Sequence, residues 1–383
     1  MTAVYARVGF SYVEPLLFRG PQPFSPAATG PQVRAKSMLI PLPTTIIGAI
    51  VTTFLESKSL SYKPITVNWV DEYFDCISKV AEGVEKEKVR FYGPYVLAKI
   101  SRGEAEGAVG ESVLIPYSVS DLNDSLAYID EVISALRQAL AEETIFAVVK
   151  RLRELSKEIT LYIAKKYPMT GIKLVDIERR VEYGMIYTAE YVEHAALLKV
   201  HGEEITPVHV EELAFCIDVE DLTGKFVEVL RKLTGNGVAV GLGGDRRITL
   251  MNVYEGDAAT KLRARVRELC GDRIRGKKVA IYVLSPALYS ARPNFNIIAI
   301  IRKELSKLIG ADLRRITVIG RIAVQTIGYS LSRNVRKPVY ALLCPGSVVY
   351  AESSKEIEVE SLVNLGERGK EIGFGTAFAV ARH

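Results

Sequence analysis

The chain has 383 residues, of which 48% are hydrophobic and 25% are charged, and its formal net charge is +5. These values exclude a disordered chain and are ordinary for a globular protein of two or three domains. The modest positive charge permits a polyanionic partner without requiring one, so any case for nucleic acid depends on where the charges lie. The four cysteines form no CxxC pair, which predicts buried, reduced thiols in a cytoplasmic protein.

The first half of the chain combines strands with helices. Its opening residues have no basic segment followed by an apolar core, so no signal peptide is expected. An uncharged stretch at 37–55 is interrupted by Pro41 and Pro43, and the helix that can follow is too short to cross a membrane. Apolar residues at helical spacing predict two inserted helices at about 123–167. The predicted strands are 4–12, 92–100, 112–116 and 172–189.

The second half repeats this mixture. Its predicted strands are 238–240, 248–253, 279–284, 316–327, 339–343, 348–350 and 377–381, and its predicted helices are 258–269 and 298–309. Because strands and helices do not alternate regularly, the pattern favours the α+β class. Two ferredoxin-like (RRM-type) β-α-β-β-α-β units with helical and loop insertions fit the element count. We therefore predict an N-terminal domain at 1–190 and a C-terminal domain at 191–383.

Two glycine-containing segments are candidate binding loops. The segment 14–24 places Arg19 among Gly and Pro, and residues 15–55 contain three basic residues and no acidic one. Such a loop suits a phosphate backbone, although an exposed turn with a solvated arginine has the same pattern. The segment 241–247 reads GLGGDRR, and Gly243 and Gly244 let a ligand approach the backbone beside Arg246 and Arg247. A plain hairpin turn is the alternative.

A third loop, at 366–375, has four glycines in ten residues. Phe374 lies between Gly373 and Gly375, where its ring could stack on a base or fill the core. The clearest polyanion pattern follows from charge: residues 313–351 contain six basic residues and no Asp or Glu. The alternative is that these cations pair with acids elsewhere. The basic residues are Arg314, Arg315, Arg321, Arg333, Arg336 and Lys337.

Motifs for catalysis are missing from the sequence. No HxxxH or CxxC pair indicates a metal site, and no Gly-x-Ser-x-Gly segment indicates a nucleophile. We therefore expect no catalytic residue, no metal and no cofactor. His194 and His201 are the only candidates for a general acid or base in a rival ribonuclease.

Several motifs, taken in order, resemble one known family. They are EPLLFRGPQPF, PLPTTIIGAI, YGPYVL, IPYSVSDL, EYGMIYTAEYV, GLGGDRR, VAIYVLSPAL, CPGSVVYAE and EIGFG, and they extend from residue 14 to 375. In this collinear order the chain resembles the third subunit of the Cmr complex, the type III-B CRISPR effector, within the RAMP (repeat-associated mysterious protein) superfamily.

This resemblance implies two ferredoxin-like domains in a cytoplasmic subunit at the 5′ end of the complex. It implies partners as well: the 5′ handle of the crRNA, the large polymerase-like subunit and the adjacent backbone RAMP subunits, with no membrane. In that family this subunit is not the nuclease. The helix-start motif of relatives is often richer in proline and has a serine, whereas here it reads PLPTT.

We therefore predict a non-catalytic, crRNA-binding scaffold subunit that serves in antiviral defence. The alternatives are a metal-independent endoribonuclease that processes crRNA and a purely structural assembly subunit. The predicted RNA-binding residues are Arg19, Lys36, Gly243, Gly244, Arg246, Arg247, Arg321, Arg333, Arg336, Lys337, Gly373, Phe374 and Gly375.

Overall fold

In a computed structural model, the chain forms helices and strands arranged around large antiparallel sheets. The predicted mixture of helices and strands is thereby confirmed. No helix in the described parts of the chain is long and apolar enough to cross a membrane. The described residues are 3–19, 34–59, 68–80, 82–101, 109–117, 125–142, 145–158, 161–174, 181–291, 296–309, 313–330 and 335–382.

The helices are α1 (Pro43–Ser57), α2 (Trp69–Val80), α3 (Ile129–Ala141), α4 (Ile145–Glu158), α5 (Lys225–Thr234), α6 (Lys261–Cys270) and α7 (Ile297–Ile309). The strands are β1 (Val4–Tyr12), β2 (Arg34–Ala35), β3 (Val89–Ser101), β4 (Val109–Tyr117), β5 (Ser125–Tyr128), β6 (Leu161–Leu174), β7 (Val181–His201), β8 (Glu204–Pro207), β9 (Val210–Asp221), β10 (Val238–Leu242), β11 (Arg247–Glu255), β12 (Arg273–Val283), β13 (Ala287–Ser290), β14 (Leu313–Ile319), β15 (Ile322–Thr326), β16 (Tyr329–Ser330), β17 (Val335–Arg336), β18 (Val339–Leu343), β19 (Val348–Glu360), β20 (Leu362–Asn364) and β21 (Thr376–Ala381). Helices α2 and α5 and strand β9 lie where the sequence analysis makes no prediction.

The first sheet is built around β1 and α1. Its central order is β11–β1–β9–β3, and all neighbouring strands are antiparallel. In chain order the elements are β1, α1, β3, β9, α5 and β11, so two helices connect strands that lie apart in the sheet. Strands β4 to β8 with α3 and α4 form an insertion between β3 and β9, and they extend the same sheet.

The predicted boundary at residue 190 falls within β7. Beyond it, β9 and β11 pair with β1 and β3. Strand pairing therefore carries the first sheet to Glu255, and the division into two domains stays a prediction.

A second sheet follows the same plan in the order β14–β19–β12–β21, with β20 beside β21. Here α7 connects β12 to β14. The loop 366–375, with a 3₁₀ turn at Lys370–Ile372, occupies the place between β19 and β21 that α5 has in the first sheet.

Two hydrophobic cores hold these sheets and helices together. Alternation in β1 buries Val8 and Phe10 on the face that α1 covers, and the Phe54 ring of α1 lies 5.8 Å from Phe226 of α5. Each such buried side chain contributes about 1.5–3 kcal/mol. A third sheet, β13–β18–β15, separates the cores: Leu342 of β18 belongs to one core and Leu343 to the other. Successive strand residues point to opposite faces, so this sheet is a layer between the cores.

Candidate nucleic-acid interface

Two predicted binding segments meet at one end of the first sheet. The Gly244 N–H donates to the Leu17 carbonyl oxygen at 2.7 Å. Gly243 has φ +79°, and a Cβ built there would lie 2.5 Å from the same oxygen and 3.1 Å from the Phe18 ring. Only glycine fits this approach, because a side chain would collide with backbone. The segment 14–18 and the loop 241–247 therefore form one structure, although more than two hundred residues separate them.

Arg247 holds the two segments together. Its guanidinium donates to Glu14 Oε2 at 2.8 Å, and the Ile248 N–H donates to Glu14 Oε1 at 2.6 Å. The guanidinium carbon also lies 4.6 Å from the ring centroid of Tyr191. The backbone hydrogen bond from Ile248 and the bond from Arg247 lower the pKa of Glu14. Arg247 was predicted to hold phosphate; in this structure its charge is directed at Glu14, and this ion pair joins the loop to the segment 14–18.

Arg246 differs from Arg247. Both Asp245 and Arg246 have positive φ angles, +57° and +48°. The Tyr191 hydroxyl donates to Asp245 and fixes the loop against β7. Arg246 is exposed, and within the described residues no carboxylate lies in ion-pair contact with it. It presents a positive charge to solvent from a restrained backbone.

Two further predicted cations lie at the same corner. Arg19 and Ser37 are bridge partners, and the Phe18 N–H donates to Ser37 Oγ at 2.9 Å. Lys36 is therefore adjacent to Arg19, and both residues are exposed. The Phe18 ring contacts Gly243 from this side. We call the exposed residues Arg19, Lys36 and Arg246, with Gly243 and Gly244 beneath them, the loop surface.

An aromatic pair that the sequence did not predict lies beside the loop surface. The rings of Tyr167 on β6 and Tyr191 on β7 are stacked, with centroids 6.3 Å apart and an interplanar angle of 21°. Tyr191 is buried beneath Arg247, whereas Tyr167 is half-buried. Tyr191 lies in one of the motifs that carry the resemblance, but no sequence pattern indicates the stacking, because it depends on the pairing of β6 with β7.

The basic stretch 313–351 forms a bent antiparallel hairpin, with β14 paired to β19 and β15 to β18. Lys337 is half-buried, donates to the Tyr73 hydroxyl at 2.6 Å and lies 5.4 Å from the Trp69 ring centroid. Burial lowers the pKa of Lys337 to about 8. The expectation that Lys337 binds RNA does not fit this position, because the ammonium group faces aromatic side chains of α2.

The other predicted residues of this hairpin have separate environments. Arg321 is exposed at the bend between β14 and β15, and no contact with the loop surface is found among the described residues. Arg333 lies outside the described residues. Only the backbone of Arg336, in β17, is described.

The four glycines and Phe374 of the loop 366–375 are buried, whereas Glu367 and Arg368 are exposed. Phe374 is 0% exposed, and its ring lies 5.9 Å from Trp69. The Gly373 carbonyl accepts a hydrogen bond from Ser285 Oγ at 2.6 Å. A Cβ at Gly375 would lie 1.7 Å from the Leu365 carbonyl oxygen. The expectation that Gly373, Phe374 and Gly375 contact a base is therefore corrected: these glycines allow close packing, and Phe374 fills the core.

The two histidines considered for a ribonuclease have different surroundings. His194 is 0% exposed, and its Nε2 lies 2.8 Å from the Leu39 carbonyl oxygen. Burial lowers the pKa of His194 to about 4, so the ring is neutral near pH 7 and is shielded from a ligand. His201 is exposed at the turn before β8. Among the described residues, no group of His, Cys, Asp and Glu is arranged to hold a metal ion.

A separate groove of about 410 Å³ crosses the face of the first sheet that α1 does not cover. Arg7, only 7% exposed, lies there with its guanidinium carbon 4.3 Å from the Tyr254 ring centroid. Glu111, Glu211 and Glu212 also line the groove. This mixed charge suits a polyanion less well than the loop surface does.

Comparison with known proteins gives one family and two similar structures. The family described as CRISPR-associated protein (Cas_Cmr3) matches residues 13–116 and 125–382. A chain in the cryo-EM structure of the Type III-B Cmr-beta bound to cognate target RNA and AMPPnP, state 1, is 18% identical, with a TM-score of 0.50. A chain in the structure of Type III-B Cmr-beta bound to cognate target RNA is 19% identical, with a TM-score of 0.50. Each likeness covers 90% of this chain and 86% of the other. No protein of curated function matches the sequence.

Proposed function

Because the chain belongs to the Cas_Cmr3 family of CRISPR-associated proteins, we propose that it is a non-catalytic, RNA-holding subunit of a type III-B effector complex. In this proposal it grips the 5′ handle of the crRNA and joins the large polymerase-like subunit to the adjacent backbone RAMP subunits. The observation that carries the proposal is the hydrogen bond from Gly244 to Leu17, which joins the loop of the exposed Arg246 to the segment that continues to the exposed Arg19 and its neighbour Lys36.

The proposed architecture is a pair of ferredoxin-like units. Two strand orders support it: β11–β1–β9–β3 in the first sheet and β21–β12–β19–β14 in the second. A split β-α-β arrangement places a later strand between two strands that a helix connects, as β9 lies between β1 and β3. In the second unit, the loop 366–375 replaces the second helix.

On the loop surface, cationic side chains rather than backbone amides hold the phosphates. The Gly244 N–H already donates to Leu17, so it is not available to a ligand. Arg246 offers a fork of donors that matches a phosphate, and Arg19 and Lys36 add charge beside it. The half-buried ring of Tyr167 offers a face for an unpaired base. This arrangement suits a single strand whose phosphates pass the corner and whose bases are unstacked.

A salt titration tests this proposal. Fluorescence anisotropy with a single-stranded RNA of about ten nucleotides measures affinity from low to physiological salt. Substituting Arg19, Lys36 and Arg246 together by alanine should weaken binding and lower the magnitude of the salt slope by about 2, since each neutralised phosphate contributes about 0.7. Arg231→Ala is the matched control, because this exposed arginine of α5 pairs with Glu255 at 3.2 Å. Equal binding by the triple variant and the wild type would refute the RNA-holding role.

The second candidate is an assembly subunit that touches RNA little. Two observations favour it: Gly373, Phe374 and Gly375 are sealed in the core, and Arg247 and Lys337 are held by protein groups. The same titration separates the candidates, because an assembly subunit predicts weak RNA binding with no dependence on Arg246.

A further inference from the structure

The outer edge of β15 is open. In the third sheet, β15 lies at the end of the order β13–β18–β15, and in the described part of the chain no strand pairs with its other side. Strand β14 is likewise at the end of the second sheet. The two edge strands follow each other in the chain and are separated by the bend at Gly320 and Arg321. A strand edge presents N–H and C=O groups to which another strand can bind.

The backbone groups that point outward belong to exposed apolar residues. The Cys344 N–H donates to the Arg321 carbonyl oxygen at 2.9 Å, so the backbone groups of Arg321 face β18. Along an antiparallel ladder, successive residues direct their backbone N–H and C=O groups to opposite sides, so the N–H and C=O groups of Ile322 and Val324 face the open side of β15. Their side chains are 42% and 62% exposed, whereas the cross-strand partner of Ile322, Leu343, is fully buried. The third sheet therefore leaves the apolar side chains of Ile322 and Val324 exposed at its open edge, where one more strand could cover them.

Charge selects what can cover this edge. Arg321 is exposed immediately before β15, Arg314 and Arg315 are exposed on the preceding strand β14, and no Asp or Glu occurs from 313 to 351. A second copy of β15 would add another Arg321 and no carboxylate, so self-pairing leaves the arginines beside this edge without an opposite charge. An RNA strand would meet the arginines, but it has no ladder of amides to pair with β15 and leaves Ile322 and Val324 without apolar partners. An acidic protein segment in extended conformation can pair with the backbone groups of β15, cover Ile322 and Val324, and offer carboxylates to the arginines.

We propose that β15 is the docking edge for an extended segment of another protein, which adds to the third sheet as a further strand. Its apolar side chains cover Ile322 and Val324, and its acidic side chains meet Arg321. The proposal rests on the proposed function in one respect, because the partner is another protein subunit of the effector complex.

The experiment compares two proline variants of the full chain. Val324→Pro removes an outward N–H from β15 without removing a bond to β18, since proline is tolerated at a strand edge. Ile205→Pro is the matched control. Ile205 is 59% exposed in β8, an edge strand that pairs with β7 and lies beside Glu203 and Glu204. Each variant is assembled with the other purified protein subunits and a guide RNA, and the affinity of this chain for the assembly is measured.

Val324→Pro should weaken incorporation at least tenfold, whereas Ile205→Pro should stay within twofold of the wild type. Amide hydrogen exchange of Ile322 and Val324 in the wild type should slow at least tenfold in the complex. Circular dichroism verifies that each variant folds. If Val324→Pro were misfolded, Arg321→Glu replaces it and should lower incorporation tenfold.

Two results would overturn the docking edge. The first is normal incorporation of Val324→Pro together with unprotected Ile322 and Val324 amides in the wild-type complex; if the proline variant is misfolded, Arg321→Glu takes its place in this comparison. The second is a loss of RNA affinity by the free variant chain that equals its loss of incorporation. The proposed function fails separately. If the loop-surface variant binds RNA normally while the β15 amides are protected in the complex, the RNA grip is refuted and the docking edge stands.

Discussion

The loops 241–247 and 366–375 have similar compositions and opposite surroundings. In the first, Gly243 and Gly244 pack against Leu17, while Arg246 is exposed. In the second, Gly373, Phe374 and Gly375 are all buried. Glycine serves close packing in both loops, because a Cβ added at Gly243 or at Gly375 would meet backbone atoms first. Glycine content alone therefore does not mark a binding loop: Arg246 is exposed on the first loop, whereas the residues predicted to meet a base in the second loop are buried.

The largest expected effect is on the buried loop. Gly375→Ala should destabilise the protein by about 4 kcal/mol, because φ is +71° and the new Cβ would lie 1.7 Å from the Leu365 carbonyl oxygen. Urea denaturation measures the free energy of unfolding. Gly256→Ala is the control: its backbone, at φ +113° and ψ +155°, also disfavours a side chain, but nothing lies within 4 Å of the new Cβ, so about 2 kcal/mol is expected. A similar cost for both variants would contradict the sealed packing of 366–375.

The next effect concerns Phe374. Phe374→Ala should cost about 3 kcal/mol, because it leaves a cavity beside Trp69. RNA affinity per folded molecule should not change, since the ring is 0% exposed. Denaturation and anisotropy on the same preparation check both statements. A stable variant with weakened RNA binding would show that this ring leaves the core to meet a base.

The smallest effect concerns the exposed loop. Glu14→Ala removes the carboxylate that binds Arg247 and the Ile248 N–H, and the pair is partly exposed, so the expected loss is below about 1 kcal/mol. The pKa of Glu14 is lowered in the folded protein. The stabilisation is therefore present above the usual pKa of glutamate and is lost as pH falls through the lowered value.

Denaturation at pH 7 and under acid conditions measures this difference between wild type and Glu14→Ala. The two proteins should converge in stability as the pH falls. A difference that persisted in acid would mean that Glu14 acts through packing and not through its charge.

The periodicity of apolar residues predicted many of the strands and helices, but contacts between residues distant in the chain determine which candidate site residues are exposed. The predicted strand 4–12 coincides with β1, and the helix predicted to follow Pro41 and Pro43 is α1, because the apolar residues of both elements pack in one core. The burial of Lys337 and Phe374 could not be predicted from the sequence, because both side chains pack near Trp69, a residue of α2 that lies far from them in the chain. The convergence of Arg19 with Arg246 likewise requires the pairing of β1 with β11.

The most direct test of the RNA grip is photo-crosslinking of the full chain to a single-stranded RNA that contains 4-thiouridine, with the crosslinked peptides identified by mass spectrometry. The account predicts crosslinks in peptides containing Arg19, Lys36, Tyr167 and Arg246, and none in the loop 366–375. Crosslinks concentrated at Gly373, Phe374 and Gly375, with none at the loop surface, would contradict it.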